Sequence, residues 1–496
     1  MTRNHFASGS FNIIAIARQT MVDNGFEPDI PRSVLDELQS LSSKPPPDAF
    51  GSSTQDLRSL LWSSIDDRKS RDLDQVEYAE KLPSGDIRVL VGIADVDSLV
   101  QKGSAIDEYA ATNCTSIYTG VKTFPMLPEE LSTDKTSLMG GADRGSMVSE
   151  MIIGSDGAVK SSSVFPALLH NYAKLSYEAV GAWLDDKGPM PPEVAGVPGM
   201  DGQIRLQFEA AQHLRQLRRE HGALELDTIQ ASPVMDSAGN VTELSVTERN
   251  SARDLIENFM IAANVAMAQF LEAKGVLSIQ RVVRVPKYWE RIVEVARELG
   301  EELPAEPDSR ALADFLARRK TADPDHFPDL SLSIVKLLGP GEYTVQKPGV
   351  ASEGHFGLAV SDYTHSTAPN RRYADLITQR LVKAALANAA PPYSEAELTA
   401  IAAHCTERED AARKVERKMR KVAAAVLMQH RIGEVFDAIV TGVSPKGIFA
   451  RILNPPVDGR VMRGEQGLRV GEKIQVKLLS ADPERGFIDF GRVGDR

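Results

Sequence analysis

The sequence predicts a multidomain α+β chain: a small helical start, a large mixed α+β body and a five-stranded β-barrel at the end. Three observations predict it. Residues 1–50 space their apolar residues at helical intervals. Residues 51–430 mix continuous apolar runs with long amphipathic stretches. Residues 431–496 break into short β-type runs punctuated by Gly, Pro and Asp-Pro. At 496 residues the chain exceeds what one hydrophobic core ordinarily serves, so a division into domains is expected.

Taken in order, "FNIIAIARQTMVDNG" reads as a helix stopped by Asn-Gly, and "IPRSVLDELQSL" as a second helix with Pro31 at its start. The two form either a helix-turn-helix domain or a helical arm packed on the body. "SSKPPPDAFGSS" reads as a linker. In the body, "DIRVLVGIADV" reads as a buried strand, and helices are expected at 203–221, 251–273, 287–299 and 309–319. "ADLITQRLVKAALA" and the long "SEAELTAIAAHCTEREDAARKVERKMRKVAAAVLMQHR" are helical in pattern, and the body ends near residue 430. Five short strands in about 60 residues then suggest a small barrel of the oligonucleotide-binding kind.

Composition excludes several classes. A hydrophobic content of 42% and a charged content of 25% are those of a soluble globular protein. No apolar run approaches the roughly 18 residues of a membrane span, and the start shows no secretory pattern, so no membrane partner is expected. Cys114 and Cys405 are the only cysteines. They provide neither a zinc site nor a disulfide framework, which fits a reducing cytoplasm. The net charge of −12 argues against a protein that coats nucleic acid with its outer surface. It leaves room for an enzyme with a local basic channel, because charge effects are screened within about 8–10 Å.

Chemistry concentrates in two stretches. In "SIDDRKSRDLDQVE", Asp66, Asp67, Asp72 and Asp74 crowd together. If "DLD" is extended, Asp72 and Asp74 share a side, and Asp66 can return to them through the loop. Such acids become favourable neighbours around a hard cation, Mg²⁺ or Mn²⁺, which would activate water against a phosphodiester. From spacing alone, a solvated acidic loop beside Arg68, Lys69 and Arg71 is the simpler account. The second stretch, "HFGLAVSDYTHSTAPNRRYADLITQRLVKAAL", places Arg371 and Arg372 at a helix N-terminus, a setting that favours a phosphate. An ion pair from Arg372 to Asp375 is the alternative, and His365 is expected to be a hydrogen-bonded loop histidine.

Together these stretches resemble the RNase II/RNase R family of exoribonucleases. "IDDRKSRDLDQV" resembles its acidic motif, and "LVGIADVDSLVQKGSAIDEYA" with "TSIYTGVKTFPMLPEELS" its next stretch. "HFGLAVSDYTHSTAPNRRYADLITQRL" resembles its phosphate-binding signature, all in the family's order over roughly 56–425. The resemblance implies an RNB-like catalytic domain over 51–430 followed by an S1-type RNA-binding barrel over 431–496.

It also implies roles. Asp66, Asp72 and Asp74 match three of the family's four metal-gathering aspartates, and Asp74 the one whose loss abolishes cleavage while RNA still binds. Gln75 stands where the fourth is expected, a departure for which Asp67 or Asp97 is expected to compensate. Arg371 matches the arginine on the scissile phosphate, with Arg372 beside it. Tyr118 matches an aromatic that clamps the terminal base; a half-buried strand tyrosine is the plain alternative. Glu257 matches an acid near the RNA terminus, or pairs with Arg253 on a helix. Glu416 matches an acid at the terminal sugar, or lies on a solvated helix face. In the barrel, Phe436, Phe449, Lys446, Arg451 and Arg460 are candidates for gripping RNA.

The function implied is a Mg²⁺-dependent, processive 3′→5′ exoribonuclease on single-stranded RNA that releases nucleoside 5′-monophosphates, acts as a cytoplasmic monomer, and accepts Mn²⁺ as an alternative. The family's two cold-shock barrels have no counterpart in the roughly 55 residues before the body, so tolerance of structured RNA is expected. The alternative function is a catalytically inactive RNA-binding protein of the same fold, which Gln75 favours. Transcriptional regulation through the N-terminal helices needs a basic recognition helix, and "IPRSVLDELQSL" is not basic.

Overall fold

A computed structural model describes residues 12–42, 54–227, 231–236, 239–324, 326–445 and 447–494. The expected linker, beyond Ser42, and Lys446 lie outside them.

The N-terminal region is helical, with α1 (Ile13–Asp23) and α2 (Arg32–Ser42). Asn12 caps α1 by accepting the Ala15 N–H at 3.0 Å. Gly25 ends it at φ +78°, while the Phe26 N–H reaches back to the Met21 carbonyl. The two helices do not share a core. Ile13, Ala17 and Met21 of α1 pack on the middle of the long C-terminal helix, whereas Val34 and Leu38 of α2 join the main core.

The body is built on β1 (Gln55–Asp56), β2 (Trp62–Asp66), β3 (Gln75–Lys81), β4 (Ile87–Ala94), helix α3 (Ala105–Asn113), a small hairpin of β5 (Ile117–Tyr118) and β6 (Thr123–Phe124), then β7 (Asp143–Ile153) and β8 (Val159–Ser176). The six-stranded sheet runs β1-β8-β2-β3-β4-β7, and β7 also pairs with β8. Helices α4 (Tyr177–Leu184), α5 (Pro192–Ala195) and α6 (Met200–Glu220) follow. Next come hairpin β9 (Ala231–Met235) and β10 (Val241–Val246), then α7 (Ser251–Ala273), β11 (Ser278–Val282), α8 (Trp289–Glu298), α9 (Ser309–Ala322), α10 (Phe327–Leu338) and β12 (Glu342–Gln346). The body closes with α11 (Tyr373–Leu386) and α12 (Glu395–Met428).

Strand alternation explains the two cores. Trp62, Val76, Leu90 and Leu169 face α3 and α11. Ile65, Ala79, Val89, Val91 and Ile93 face α4, α6 and α7. The last five strands, β13 (Val435–Ser444), β14 (Gly447–Ile452), β15 (Val457–Arg463), β16 (Lys473–Asp482) and β17 (Phe487–Arg492), close in the order β13-β14-β15-β17-β16. Ala424, Ala425 and Met428 of α12 pack into the barrel core, so α12 runs from the main core to the barrel. Among the described residues no helix is long and apolar enough to cross a membrane.

Candidate active site

β2 ends on Asp66 and the adjacent antiparallel β3 begins on Gln75, so the acid-rich loop hangs at one end of the sheet. Its backbone is tied down. Leu73 is fully buried, its N–H donates to Ser137 Oγ at 3.0 Å, and its carbonyl accepts the Leu138 N–H at 2.9 Å. "DLD" is therefore a pinned loop rather than a strand. Asp72 accepts the Tyr118 hydroxyl at 3.0 Å, while Asp74 turns to the loop before α11. Asp74 Oδ1 accepts the Asn370 N–H at 2.9 Å, and Oδ2 lies 3.4 Å from Arg371 Nε. Burial raises the Asp74 carboxyl to about 7 against the opposing pull of Arg371 and Asn370. Asp66 accepts from the Asp67 N–H and Ser70 Oγ, and burial raises its carboxyl as well.

The loop before α11 is aimed by neighbours that sequence reading passed over. The Arg371 carbonyl accepts the Ser116 N–H at 2.9 Å and Thr115 Oγ1 at 3.2 Å, leaving its guanidinium side chain 44% exposed. Asn370 is buried, and its Oδ1 accepts Thr136 Oγ1 at 2.5 Å. Arg372 takes the ion pair weighed as its alternative: Nη2 lies 2.7 Å from Asp375, whose side chain is fully buried and also accepts the Ala368 N–H. His365 is a hydrogen-bonded loop histidine, 2.7 Å from the Tyr343 hydroxyl, and burial pushes its pKa well down.

Arg371 opens on a cavity of about 250 Å³, lined also by Tyr118, Arg372, Glu409, Arg413, Glu416 and both cysteines. Tyr118 is 42% exposed, and its N–H donates to Glu416 at 3.2 Å, which ties the β5–β6 hairpin to α12. Burial raises the Glu416 carboxyl. Residues 409, 412, 413 and 416 recur at the spacing of one helix face. That periodicity was present in the sequence and points to Glu409 and Arg413, which the motif comparison missed. Cys114 and Cys405 are free, and their sulfurs lie 3.5 Å apart.

Other expected residues sit elsewhere. Glu257 is outside this lining and pairs at 3.0 Å with Arg249, not Arg253. Arg253 instead holds Asp67 at 2.7 Å. Asp97 is held by Arg380 at 2.9 Å and Lys383 at 3.0 Å. Both acids expected to compensate for Gln75 are thus already engaged by cationic side chains. In the barrel, Phe436 is core, and Arg451 pairs with Asp329 and Asp458 at 3.1 Å each. Phe449 and Arg460 stand opposite each other across β14 and β15, both exposed.

Among the described residues no three acids, histidines or cysteines form a ready cage for a cation. The chemistry of the donors nonetheless fits a hard divalent ion. Asp66 and Asp74 are carboxylates raised by burial, and the charge of Asp72 adds to the rise at Asp74, while Glu77, fully buried in β3, lies on the other face of the sheet with Ala79. Buried oxygen acceptors with too little neighbouring positive charge are what such an ion satisfies.

Known proteins resemble this chain in both its body and its terminal barrel. The model of the RNB domain matches residues 54–388, and that of the RNase II-type exonuclease C-terminal S1 domain matches 434–493. Ribonuclease R of Thermotoga maritima is 32% identical over 464 residues, covering 88% of this chain and 64% of the relative. The chain spans about three fifths of the length of the curated relatives it matches. Mycoplasma genitalium RNase R, solved in complex with double-stranded RNA, superposes with a TM-score of 0.86 at 24% identity, covering 97% of this chain and 84% of that one. Yeast Ssd1, a pseudonuclease, superposes with a TM-score of 0.70 at 16% identity, covering 95% and 59%. The last two likenesses speak for the fold. With the acidic loop, the arginine-bearing helix start and the terminal barrel all in place, and the RNB model matched over more than half of its length, the chain belongs to the RNB-domain ribonuclease family.

Proposed function

We propose that the chain is a Mg²⁺-dependent 3′→5′ exoribonuclease that hydrolyses single-stranded RNA processively to nucleoside 5′-monophosphates. The observation that carries the reading is the contact of Asp74 with Arg371 beside a cavity that also holds Tyr118 and Glu416. Mg²⁺, or Mn²⁺ in its place, held by Asp66, Asp72, Asp74 and Gln75, would supply activated water and charge for the phosphate.

The chain's own residues do the rest. Tyr118 offers a ring for the terminal base to stack on, and stacking tolerates any sequence. Glu416 presents an acceptor to the terminal sugar once RNA displaces its contact with the Tyr118 N–H. Arg371, freed from Asp74, meets the scissile phosphate and stabilises the charge that grows on its oxygens. Asp74 Oδ1 is held in place by the Asn370 N–H, so it does not reorganise during the reaction. Water attacks the terminal phosphorus and the 3′-oxygen of the preceding nucleotide leaves. Arg372 supports this site through Asp375 and the start of α11, and Glu257 contributes from α7 farther out. A net acidic exterior is compatible with a strand threaded into an interior cavity. Structured RNA is also a substrate on this reading; an RNase R has been solved with double-stranded RNA bound.

Gln75 favours a second reading, an inactive RNA-binding protein. A time course on 5′-labelled single-stranded RNA separates the two. Wild type and Asp74→Asn are compared with Mg²⁺ or EDTA, with a DNA control. Loss of full-length RNA to a short end product, dependent on both Mg²⁺ and Asp74, is expected. Intact RNA in every lane, with binding retained, gives the answer to the second reading.

A further inference from the structure

Cys114 and Cys405 take no part in the chemistry above, yet the fold brings these two cysteines, 291 residues apart in sequence, to a sulfur–sulfur distance of 3.5 Å. Cys114 ends α3 at φ +57°, left-handed backbone that glycine ordinarily fills at a helix end and where a side chain is strained. The Cys405 S–H donates to the Cys114 sulfur, and the Cys114 S–H to the Ala111 carbonyl at 3.0 Å. The Cys405 S–H lowers the pKa of the Cys114 thiol most; burial opposes it, and His404 and Arg408 lower it further. The thiolate is the nucleophilic form, so Cys114 is the member that attacks.

Both cysteines are buried, and both line the cavity onto which Arg371 opens. The cavity is thus the route by which a small reagent reaches them. The two sulfurs also belong to different walls. Directly after Cys114, Thr115 Oγ1 and the Ser116 N–H hold the Arg371 carbonyl, and the Cys114 carbonyl accepts the Tyr373 N–H at 2.8 Å. Cys405 lies on α12, where residues 405, 409, 412 and 416 share one face along the cavity. The same two walls meet again where the Tyr118 N–H donates to Glu416. A disulfide holds its sulfurs at about 2 Å, so oxidation would draw these walls together at Cys114.

We propose that Cys114 and Cys405 are a reversible oxidation site: a low-molecular-weight disulfide entering the cavity converts the pair to an intramolecular disulfide, which fastens the segment between α3 and β5 to α12 and holds the cavity closed to RNA. The effect on RNA rests on the preceding reading that RNA occupies this cavity; the oxidation itself does not. The Cys114 thiolate attacks one sulfur of the reagent, whose S–S bond breaks and releases one thiol. The Cys405 thiolate then attacks the Cys114 sulfur of the mixed disulfide, and the second thiol leaves with the proton that Cys405 gave up. The pair loses two electrons and two protons, and the reagent gains both.

The test treats the reduced, RNA-free full chain with 2-hydroxyethyl disulfide and follows free thiols, intact mass and the cysteine peptides under non-reducing conditions. Both thiols should disappear with the loss of two hydrogens in mass, no adduct retained and no dimer formed, and dithiothreitol should restore them. Cys405→Ala cannot resolve the intermediate and should keep one adduct on Cys114; where that variant does not fold, the wild-type peptide map decides. Saturating single-stranded RNA should slow the oxidation. In fluorescence anisotropy with EDTA present, the oxidised chain should bind a single-stranded oligonucleotide at least about tenfold more weakly than the reduced chain, because its RNA-accepting form is then a minor fraction. The affinity of the double variant Cys114→Ala with Cys405→Ala should not respond to the reagent. Thiols that persist in wild type, or separate adducts on each cysteine, overturn the site. A disulfide with unchanged RNA affinity overturns its hold on the cavity. A reduced chain that binds no RNA removes the reading of the cavity as an RNA site, while the thiol measurements still decide the disulfide.

Discussion

Asp74 is pulled in two directions. Burial opposes its ionisation, while Arg371 and the Asn370 N–H favour it, and the balance leaves its carboxyl near 7 against an ordinary 3.8. Between those two values the folded chain keeps a proton that the unfolded chain has released. Its stability therefore falls as pH rises through that window and is regained as pH falls. Asp74→Asn cannot titrate. In EDTA its melting temperature relative to wild type should accordingly climb between pH 4 and pH 8; a flat difference would show that Asp74 is already ionised. The same variant should lose about 10³-fold or more in turnover with Mg²⁺, measured on labelled RNA, while RNA binding persists. Tyr118 makes two contacts that can be separated. Tyr118→Phe keeps the ring and loses only the hydroxyl contact to Asp72. Tyr118→Ala also loses stacking, worth about 1–3 kcal/mol, and should weaken binding of a single-stranded oligonucleotide about 10- to 100-fold more than Phe does.

At the level of elements, the readable parts were those whose period is set locally. α7, α11 and α12 emerged from helical spacing, and the barrel from short β runs divided by turn residues. The barrel's closure, with β15 parallel to β17, is a tertiary fact that no local pattern carries. β8 was harder for the same reason: one strand of 18 residues pairs antiparallel with β7 early and parallel with β2 late, so its burial changes along its length. The acidic loop was legible through its resemblance to a family, not through spacing. Glu77 was illegible because an acid in a strand ordinarily marks the solvent face. The fate of Asp97 depended on Arg380, 283 residues away. Arg380 shows what such a distant pair is worth. Its side chain is 4% exposed and joins α11 to Asp97, Asp107 of α3, the Tyr393 hydroxyl and the Val100 carbonyl. Arg380→Met leaves two acids behind and should cost about 3–5 kcal/mol by urea unfolding. Ser394→Ala, which breaks the capping box of α12, should cost only about 1 kcal/mol.

For the molecule as a whole, the proposed function raises the question of how a chain of net charge −12 would hold a polyanion. On that reading the cavity answers part of it with Arg371, since Arg372 is paired with Asp375 and Arg413 with Glu409 and Asp410, and the barrel mounted on the far end of α12 would feed it. The barrel presents two kinds of group side by side. Phe449 and Arg460 face each other across β14 and β15, and both are exposed. They should contribute to binding by different physics, and salt distinguishes them. A guanidinium that neutralises a phosphate releases a counterion, so its loss lowers the slope of log affinity against log salt by about 0.7 on a single strand. A ring that stacks on a base releases none. Arg460→Ala should therefore weaken RNA binding most at low salt and flatten the salt dependence by roughly that amount. Phe449→Ala should weaken binding by a similar factor at every salt concentration and leave the slope unchanged. Fluorescence anisotropy with a labelled oligonucleotide across 50–500 mM salt, roughly the range over which such slopes are resolved, reads both at once. Parallel lines for all three proteins would mean that this face of the barrel does not touch the RNA backbone. The acidic exterior would then be crossed by α12 and the cavity alone.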